Sequence, residues 1–184
     1  EDLVKMLAKI MRRNIQVSHK LVSLQSEIEL IDNYMKIQDY RFGDRIHSEI
    51  MVDDDVDMTQ EVMPLIIQPF VENAFIHGLE NKPKDGRLEV KVSQDEKDII
   101  IEVIDNGIGM NYYQLGELRH SLTQTDGSGG HIGISNVNQR LIVQYGKEYA
   151  VKVDSRLNEG TVVTIRIPKN ASTAIEQSDE QELP

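Results

Sequence analysis

Residues 65–78 read Leu-Ile-Ile-Gln-Pro-Phe-Val-Glu-Asn-Ala-Phe-Ile-His-Gly, and this stretch decides which fold we predict. Its apolar residues recur at three- and four-residue spacing, which predicts a helix with one buried face. Pro69, Asn73 and His77 are four residues apart and therefore share another face of that helix. An amide oxygen is a suitable ligand for Mg²⁺ and an imidazole can donate to phosphate, although the same pair also fits an ordinary solvated surface.

Composition and charge restrict the classes of function. Because it has no cysteine, the 184-residue chain has neither a disulfide framework nor thiolate metal sites, and its formal net charge of -11 disfavours nucleic-acid binding. No apolar run reaches membrane-spanning length. Residue 1 is Glu rather than Met, so we expect a piece of a longer protein whose other parts could include membrane spans.

Helices are predicted in the first part of the chain. Residues 1–13 have an amphipathic pattern, residues 14–23 indicate a connector, and a second helix is predicted over about residues 24–41, with Ser23 at its start. Pro64 is predicted in the first turn of the central helix, because proline is tolerated where the backbone N–H has no helical partner.

Strands are predicted where apolar residues alternate or run continuously. These segments are residues 45–52, 87–93, 99–104, 149–156 and 161–167. The short link between the second and the third makes them an antiparallel hairpin. The acidic run 53–57 lacks the glycine and the terminal glutamate of an EF-hand loop, so we interpret it as a solvated turn.

A carboxylate follows the second strand of this hairpin. Residues 105–110 read Asp-Asn-Gly-Ile-Gly-Met. Gly107 and Gly109 would let the backbone approach a ligand closely, while Asp105 accepts a hydrogen bond from it. A plain glycine turn capped by Asp is the alternative interpretation of the hexapeptide taken alone.

A second glycine-rich region lies downstream. Residues 124–130 are polar and rich in glycine, which is the profile of a mobile lid. Residues 131–136 then open a helix that Gly146 ends, and a glycine loop at a helix N-terminus presents unpaired amides to an anion. Residues 170–184 are acidic and without pattern, so a disordered tail is predicted.

The order of these motifs resembles one family of ATP-binding domains. A helix carrying Asn, a strand ending in Asp-x-Gly-x-Gly, a lid, a glycine-loop helix and a final Gly-Thr strand are typical of the domain shared by histidine kinases and by gyrase-, chaperone- and mismatch-repair-type ATPases. Within that superfamily the chain is most similar to the LytS/YesM-like sensor histidine kinases. Residues 68–78 are similar to their N box, residues 134–141 to their G2 region and residues 29–42 to their lead-in sequence. The resemblance covers roughly residues 1–168.

The resemblance implies an α/β fold, a two-layer α/β sandwich known as the Bergerat fold. Its sheet would be mixed and mainly antiparallel, with helices on one face and further helices before it. We predict an N-terminal helical segment at 1–43 that belongs to a dimerisation and phosphoacceptor region, an ATP-binding catalytic domain at 44–169 and the tail at 170–184.

A nucleotide site is also implied by the resemblance. Asn73 would ligate Mg²⁺, Asp105 would accept a hydrogen bond from the adenine amino group, and Thr161 would support the adenine through its hydroxyl or a water. His131 stands where the family commonly has a glycine, and Glu72 joins Asn73 and His77 as a catalytic candidate through a contact to metal or water. The nucleotide-binding residues would be Asn73, His77, Asp105, Gly107, Gly109, His131, Gly133, Ile134 and Thr161.

The activity that we predict is that of a protein-histidine kinase. Hydrolases of the superfamily need a carboxylate one helical turn before the Asn, where this chain has Pro69, and proline cannot act as a base. Phosphoryl transfer to an imidazole depends mostly on positioning and on neutralisation of charge. Two alternatives stay open, namely a non-catalytic nucleotide-binding or protein-interaction module and a chaperone- or gyrase-like ATPase.

The resemblance also implies ligands, partners and a location. ATP and Mg²⁺ would be the ligands, the phosphoacceptor histidine would lie upstream of these residues, and a response regulator would receive the phosphoryl group. We expect a homodimer in the full-length protein, and this part of it to be the cytoplasmic domain of a protein in the bacterial cell membrane.

Overall fold

The structure of the protein is a computed structural model that describes residues 20–123 and 132–169. Four predicted features therefore lie outside the described residues. They are the amphipathic helix at 1–13, the lid at 124–130, His131 and the tail at 170–184, and residues 14–19 of the predicted connector also lie outside. The predicted division of the chain into three regions stays a prediction.

Seven strands and four helices position the site within the described residues. The strands are β1 (Val22–Ser23), β2 (Ile46–Val52), β3 (Glu61–Val62), β4 (Gly86–Gln94), β5 (Asp98–Asp105), β6 (Lys152–Arg156) and β7 (Gly160–Pro168). The helices are α1 (Leu24–Phe42), α2 (Gln68–Asn73), α3 (Tyr112–Thr123) and α4 (Ile132–Tyr145). A π-helical turn, Ala74–Leu79, continues α2.

The main sheet has the strand order β2-β4-β5-β7-β6. β2 and β4 are parallel, with Ile46 opposite Gly86, and the other neighbouring pairs are antiparallel. Every second residue of β4 is buried, as its alternation predicts, whereas the residues between them are partly or fully exposed. Every second residue of β5 is buried as well, although its sequence is a nearly continuous apolar run. The predicted mixed, mainly antiparallel sheet with helices on one face is confirmed.

Helix α1 begins and ends where the sequence predicts. Ser23 is its N-cap and accepts a hydrogen bond from the Ser26 N–H, and Gly43 ends it with a φ of 55°. The predicted connector is wrong at its last two residues, because Val22 and Ser23 form β1 and pair with β3. This pairing joins segments that are far apart in the sequence, so local composition could not indicate it.

The start of the central helix is also different from the prediction. Pro64 is not in its first turn, because the helix begins at Gln68 and Pro69 occupies the first turn instead. The preceding segment is a turn in which Leu65 has a φ of 58°. Distant side chains hold that turn: the Arg140 guanidinium donates to the Pro64 carbonyl at 2.7 Å, and the Glu27 carboxylate accepts from the Ile66 N–H at 3.1 Å.

Helix α3 is not predicted from the sequence. Its buried residues are only Leu118 and Leu122, so the apolar stripe is too thin to show a helical period. The acidic run 53–57 leaves Asp53, Asp54 and Asp55 exposed, as expected of a solvated turn. No helix of the described part combines the length and hydropathy that crossing a membrane requires.

The buried Glu27 carboxylate yields a prediction about stability. Glu27→Ala leaves the Ile66 N–H without its acceptor and removes the negative charge that favours the ionised Arg140. We expect a loss of about 2–3 kcal/mol in the free energy of unfolding. Glu27→Gln is the matched control, because its amide oxygen can still accept, and it should cost less. Chemical denaturation of the wild type and the two variants measures both effects. Equal stability of the two variants would contradict the role of Glu27 as the acceptor for the Ile66 N–H.

Candidate functional site

A cavity of about 450 Å³ lies between the sheet and the helices α2, α3 and α4. Its wall combines residues of the π-helical turn, the loop after β5 and the strands β5, β6 and β7. The lining residues are Phe70, Asn73, Ala74, His77, Gly78, Val103, Asp105, Ile108, Gly109, Met110, Gln114, Glu117, Leu118, Ile134, Val153, Thr161 and Val163. This volume is in the range of small-molecule sites.

Most of the residues predicted for the site meet in this cavity. Those that line it are Asn73, His77, Asp105, Gly109, Ile134 and Thr161. Gly107, Gly133 and Glu72 are not part of its lining. His131 lies outside the described residues, so its predicted contact with phosphate stays a prediction.

Asp105 is a buried carboxylate at the end of β5. Its side chain is only 7% exposed, and Oδ1 accepts a hydrogen bond from the Gly107 N–H at 2.8 Å. Burial raises the pKa of Asp105 to about 6, although the N–H groups of Gly107 and Thr161 and the charge of Lys82 oppose that shift. Asp105 is therefore ionised at neutral pH and presents an acceptor to the cavity.

The loop after β5 runs closely between two other backbone segments. The Ile108 N–H donates to the Gly78 carbonyl at 3.0 Å, and the Ile108 carbonyl accepts from the Asn158 N–H at 2.7 Å. A Cβ on Gly107 would collide with the Gly78 carbonyl, and a Cβ on Gly109, whose φ is 59°, would collide with the Arg156 carbonyl. Gly107 thus acts by permitting this close approach and by donating to Asp105.

Asn73 and His77 lie on the cavity side of α2 and its π-helical continuation. The Asn73 side chain lines the cavity, so its amide oxygen can act as a ligand. Within residues 20–123 and 132–169, no group of three His, Cys, Asp or Glu side chains could hold a metal. A hard cation here would therefore take Asn73 together with oxygens of a bound ligand and water, which fits the preferences of Mg²⁺.

Glu72 faces away from the cavity and towards α1. Its Oε1 accepts from the Gln68 amide at 2.6 Å. Burial, with a contribution from the charge of Glu72, raises the pKa of Tyr34 on α1 to about 12. Successive residues of a helix differ by about 100°, which explains why Glu72 and Asn73 point in different directions. The catalytic role predicted for Glu72 stays a prediction.

The first turn of α4 closes one side of the cavity. Ile134 lines it, and a Cβ on Gly133 would lie 3.8 Å from the Pro69 Cβ, so α2 and α4 are in contact range there. The first N–H groups of a helix lack partners within the helix. This turn can therefore offer amides to an anionic group.

Several lining residues were missed in the sequence. Gln114, Glu117 and Leu118 belong to α3, which the thin apolar stripe did not reveal. Val153 and Val163 could have been found, because the strand alternation places Val163 on the same face as Thr161 and opposite Val153.

Two family models match the chain. The model described as histidine kinase-, DNA gyrase B-, and HSP90-like ATPase matches residues 58–171, and the model described as histidine kinase matches residues 1–46. Among curated relatives, the Sensor protein kinase HptS of Staphylococcus aureus (strain USA300) is 27% identical over 168 residues. The match covers 91% of this chain but only 32% of that relative, so the chain spans about a third of its length.

Solved structures of histidine kinases share the fold. The histidine kinase domain from the Erythrobacter litoralis EL346 blue-light activated histidine kinase superposes with a TM-score of 0.58 at 19% identity, covering 91% of this chain and 73% of that one. The mycobacterial sensor histidine kinase MprB gives a TM-score of 0.54 at 20% identity, covering 82% of this chain and 97% of that one. At these identities the likeness concerns the fold.

The raised pKa of Asp105 predicts how stability depends on pH. Because the folded-state pKa of about 6 exceeds the ordinary value of 3.8, the folded protein binds this proton more tightly than the unfolded chain. Stability from this group is therefore complete below about pH 4 and is lost as the pH rises through 6, by about 2–3 kcal/mol. The Asp105→Asn variant has no carboxyl at this position and therefore cannot lose this stability as the pH rises. Its free energy of unfolding relative to the wild type should increase between pH 4 and pH 7.

Denaturation of wild type and variant across this pH range measures the effect. Asp57→Asn is the control, because hydrogen bonds from Thr59 hold the pKa of the Asp57 carboxyl below its usual value, outside the range of the titration. Its stability relative to the wild type should therefore change little between pH 4 and pH 7, because the pH dependence from this group lies mostly below about pH 4. A pH-independent difference for Asp105→Asn would contradict the prediction.

Proposed function

We infer, from the fact that this chain belongs to the histidine kinase-, DNA gyrase B-, and HSP90-like ATPase family, that its cavity binds ATP for phosphoryl transfer to a histidine. The observation that carries this proposal is the buried Asp105 carboxylate in the same cavity as Asn73 and Thr161. The activity of the whole protein is part of the proposal, since the chain spans only 32% of the kinase relative.

Each lining group has a role in this proposal. Asp105 accepts a hydrogen bond from the adenine amino group, and the apolar side chains of Val103, Val153 and Val163 pack against the base. The first-turn amides of α4 at Gly133 and Ile134 bind phosphate oxygens. His77 lies one helical turn from Asn73 and donates to the phosphates.

Asn73 is the residue that would hold Mg²⁺, which supplies charge neutralisation for the phosphates when it is bound. During transfer, an imidazole nitrogen of the acceptor forms a bond to the γ-phosphorus while the bond from that phosphorus to the β,γ-bridging oxygen breaks. ADP leaves with the electron pair of that bond. The described residues contribute by orienting the nucleotide and by excluding water from the base.

Hydrolysis of ATP is a weaker alternative. In the superfamily hydrolases a carboxylate one turn before the Asn activates water, and Pro69 occupies that position here. Glu72 is held by Gln68 on the side of α1, so the segment 65–79 contributes no carboxylate to the cavity. We propose slow hydrolysis at most.

The acceptor histidine belongs to the part of the kinase upstream of these residues in our proposal. None of His19, His47, His77, His120 and His131 is in a sequence like the phosphoacceptor box of the family. A response regulator as the next acceptor, a homodimer of the full-length protein and its attachment to the cell membrane are further parts of the proposal. None of the described helices is long and apolar enough to cross a membrane, which neither requires nor opposes attachment through other parts of the protein.

Calorimetric titration with ATP tests the nucleotide site. The wild type should bind ATP more tightly with Mg²⁺ than without it, Asn73→Ala should lose that dependence on Mg²⁺, and Asp105→Asn should bind at least about tenfold more weakly. Asp44→Asn, in the exposed turn after α1, is the matched control and should bind like the wild type. No binding of ATP at concentrations near millimolar would overturn the proposal and favour a module that does not bind nucleotide.

Phosphorylation assays test where the acceptor is. We expect no stoichiometric phosphohistidine on residues 1–184 incubated with ATP and Mg²⁺, because these residues lack an acceptor box. The full-length kinase should acquire phosphohistidine, and Asn73→Ala should reduce its rate by about 100-fold or more. Stoichiometric phosphohistidine on residues 1–184 alone would contradict the assignment of the acceptor.

A further inference from the structure

We propose that Ser155 is a positioning residue for recognition of the base, because it makes the Thr161 hydroxyl a hydrogen-bond acceptor towards the cavity. The inference rests on the proposed function, since it concerns how the same cavity selects a nucleotide. Ser155 lies on β6 behind Thr161 and is not among the cavity-lining residues. It would therefore act through Thr161 and would not touch the base.

The strand register places three polar side chains in one row. Asp105 of β5 is opposite Thr161 of β7, and Thr161 is opposite Ser155 of β6. Directly opposed residues of neighbouring strands project to the same face of a sheet. Two residues further along each strand, Val103, Val163 and Val153 line the cavity, so this is the face that carries it.

Ser155 Oγ has three polar neighbours. The Met110 N–H donates to it at 2.9 Å, and it donates to the Gly160 carbonyl at 2.8 Å. Its third neighbour is Thr161 Oγ1 at 3.0 Å. All three distances are ordinary hydrogen-bond lengths.

The direction of the third hydrogen bond follows from counting protons. A serine hydroxyl carries one proton and two lone pairs, a backbone N–H can only donate, and a carbonyl can only accept. The single proton of Ser155 is used on the Gly160 carbonyl, which would otherwise face a lone pair at 2.8 Å. Ser155 must then accept from both Met110 and Thr161, so the proton of the Thr161 hydroxyl points to Ser155.

As a consequence, the side chains of Asp105 and Thr161 accept hydrogen bonds in the cavity and do not donate them. Thr161 has used its proton, so its oxygen presents lone pairs, and the neighbouring Asp105 presents a carboxylate. Such a pair favours an exocyclic amine on the base. It disfavours a keto oxygen at the same position of the base. The Asp105 carboxylate and the Thr161 oxygen would then face the keto oxygen with no proton to form a hydrogen bond.

Ser155 also joins three chain segments, namely β6, the start of β7 and the loop that contains Met110. A purely structural role would make its loss weaken the binding of all nucleotides alike. The role proposed here changes the ratio of affinities for two bases. The ratio therefore separates the two explanations.

The test compares Mg²⁺-ADP with Mg²⁺-IDP, in which a keto oxygen replaces the adenine amine, by calorimetric titration. The wild type should prefer ADP by about 100-fold or more. Ser155→Ala frees the Thr161 proton to rotate towards the keto oxygen, so the preference should fall by about tenfold. Ser155→Thr keeps a hydroxyl that accepts and donates, and should keep the preference of the wild type.

Two further variants complete the design. Ser155→Cys retains a side chain of similar shape but accepts hydrogen bonds weakly, so it should lower the preference even if Ser155→Ala fails to fold. In a Thr161→Val background there is no hydroxyl to orient, and Ser155→Ala should then leave the preference unchanged. Circular dichroism monitors the folding of each variant.

The outcomes distinguish this inference from the proposed function. If the wild type binds ADP but the preference is unchanged in Ser155→Ala and Ser155→Cys, Ser155 is only structural and the inference is overturned. A fall in preference that persists in the Thr161→Val background also overturns it, because the effect then bypasses Thr161. Failure of the wild type to bind either nucleotide overturns the proposed function and this inference with it.

Discussion

The arrangement of the cavity depends on one close approach of three backbone segments. The loop after β5 donates from the Ile108 N–H to the Gly78 carbonyl and accepts from the Asn158 N–H, so it is bonded on both sides. Side chains at Gly107 or Gly109 would not fit between these neighbours. Even on the helix side there is little space, because a Cβ on Gly78 would lie 2.8 Å from Asp105 Oδ1. These contacts keep Asp105 beside both the π-helical turn and β7.

A second set of contacts holds the helices around that crossing. The turn before α2 is bonded on one side by Glu27 of α1 and on the other by Arg140 of α4. Burial lowers the pKa of Arg140, and the negative charge of Glu27 opposes that effect. Helices α1, α2 and α4 are therefore connected through one turn. In the proposed function, this turn connects the helix that follows the upstream part of the kinase with the helices that bind phosphate and metal.

Chemistry at the cavity depends on where protons are placed. Asp105 is buried but ionised at neutral pH, and in the arrangement that we propose its neighbour Thr161 points its proton at Ser155. Both groups are then acceptors, and Val103, Val153 and Val163 line the same cavity. A fixed pattern of acceptors discriminates between bases more strongly than shape alone, because a mismatched base leaves buried polar groups unpaired.

Local sequence determined much of this protein. Alternating or continuous runs of apolar residues indicated the five strands of the sheet, and Ser23 marked the start of α1. The order of the motifs indicated the fold and six residues that line the cavity. Only the tertiary structure decided the turn at Pro64, the existence of α3 and the hydrogen-bond partners of Ser155. These features depend on partners from other segments, such as Arg140, 76 residues from Pro64, or on packing that local periodicity does not record.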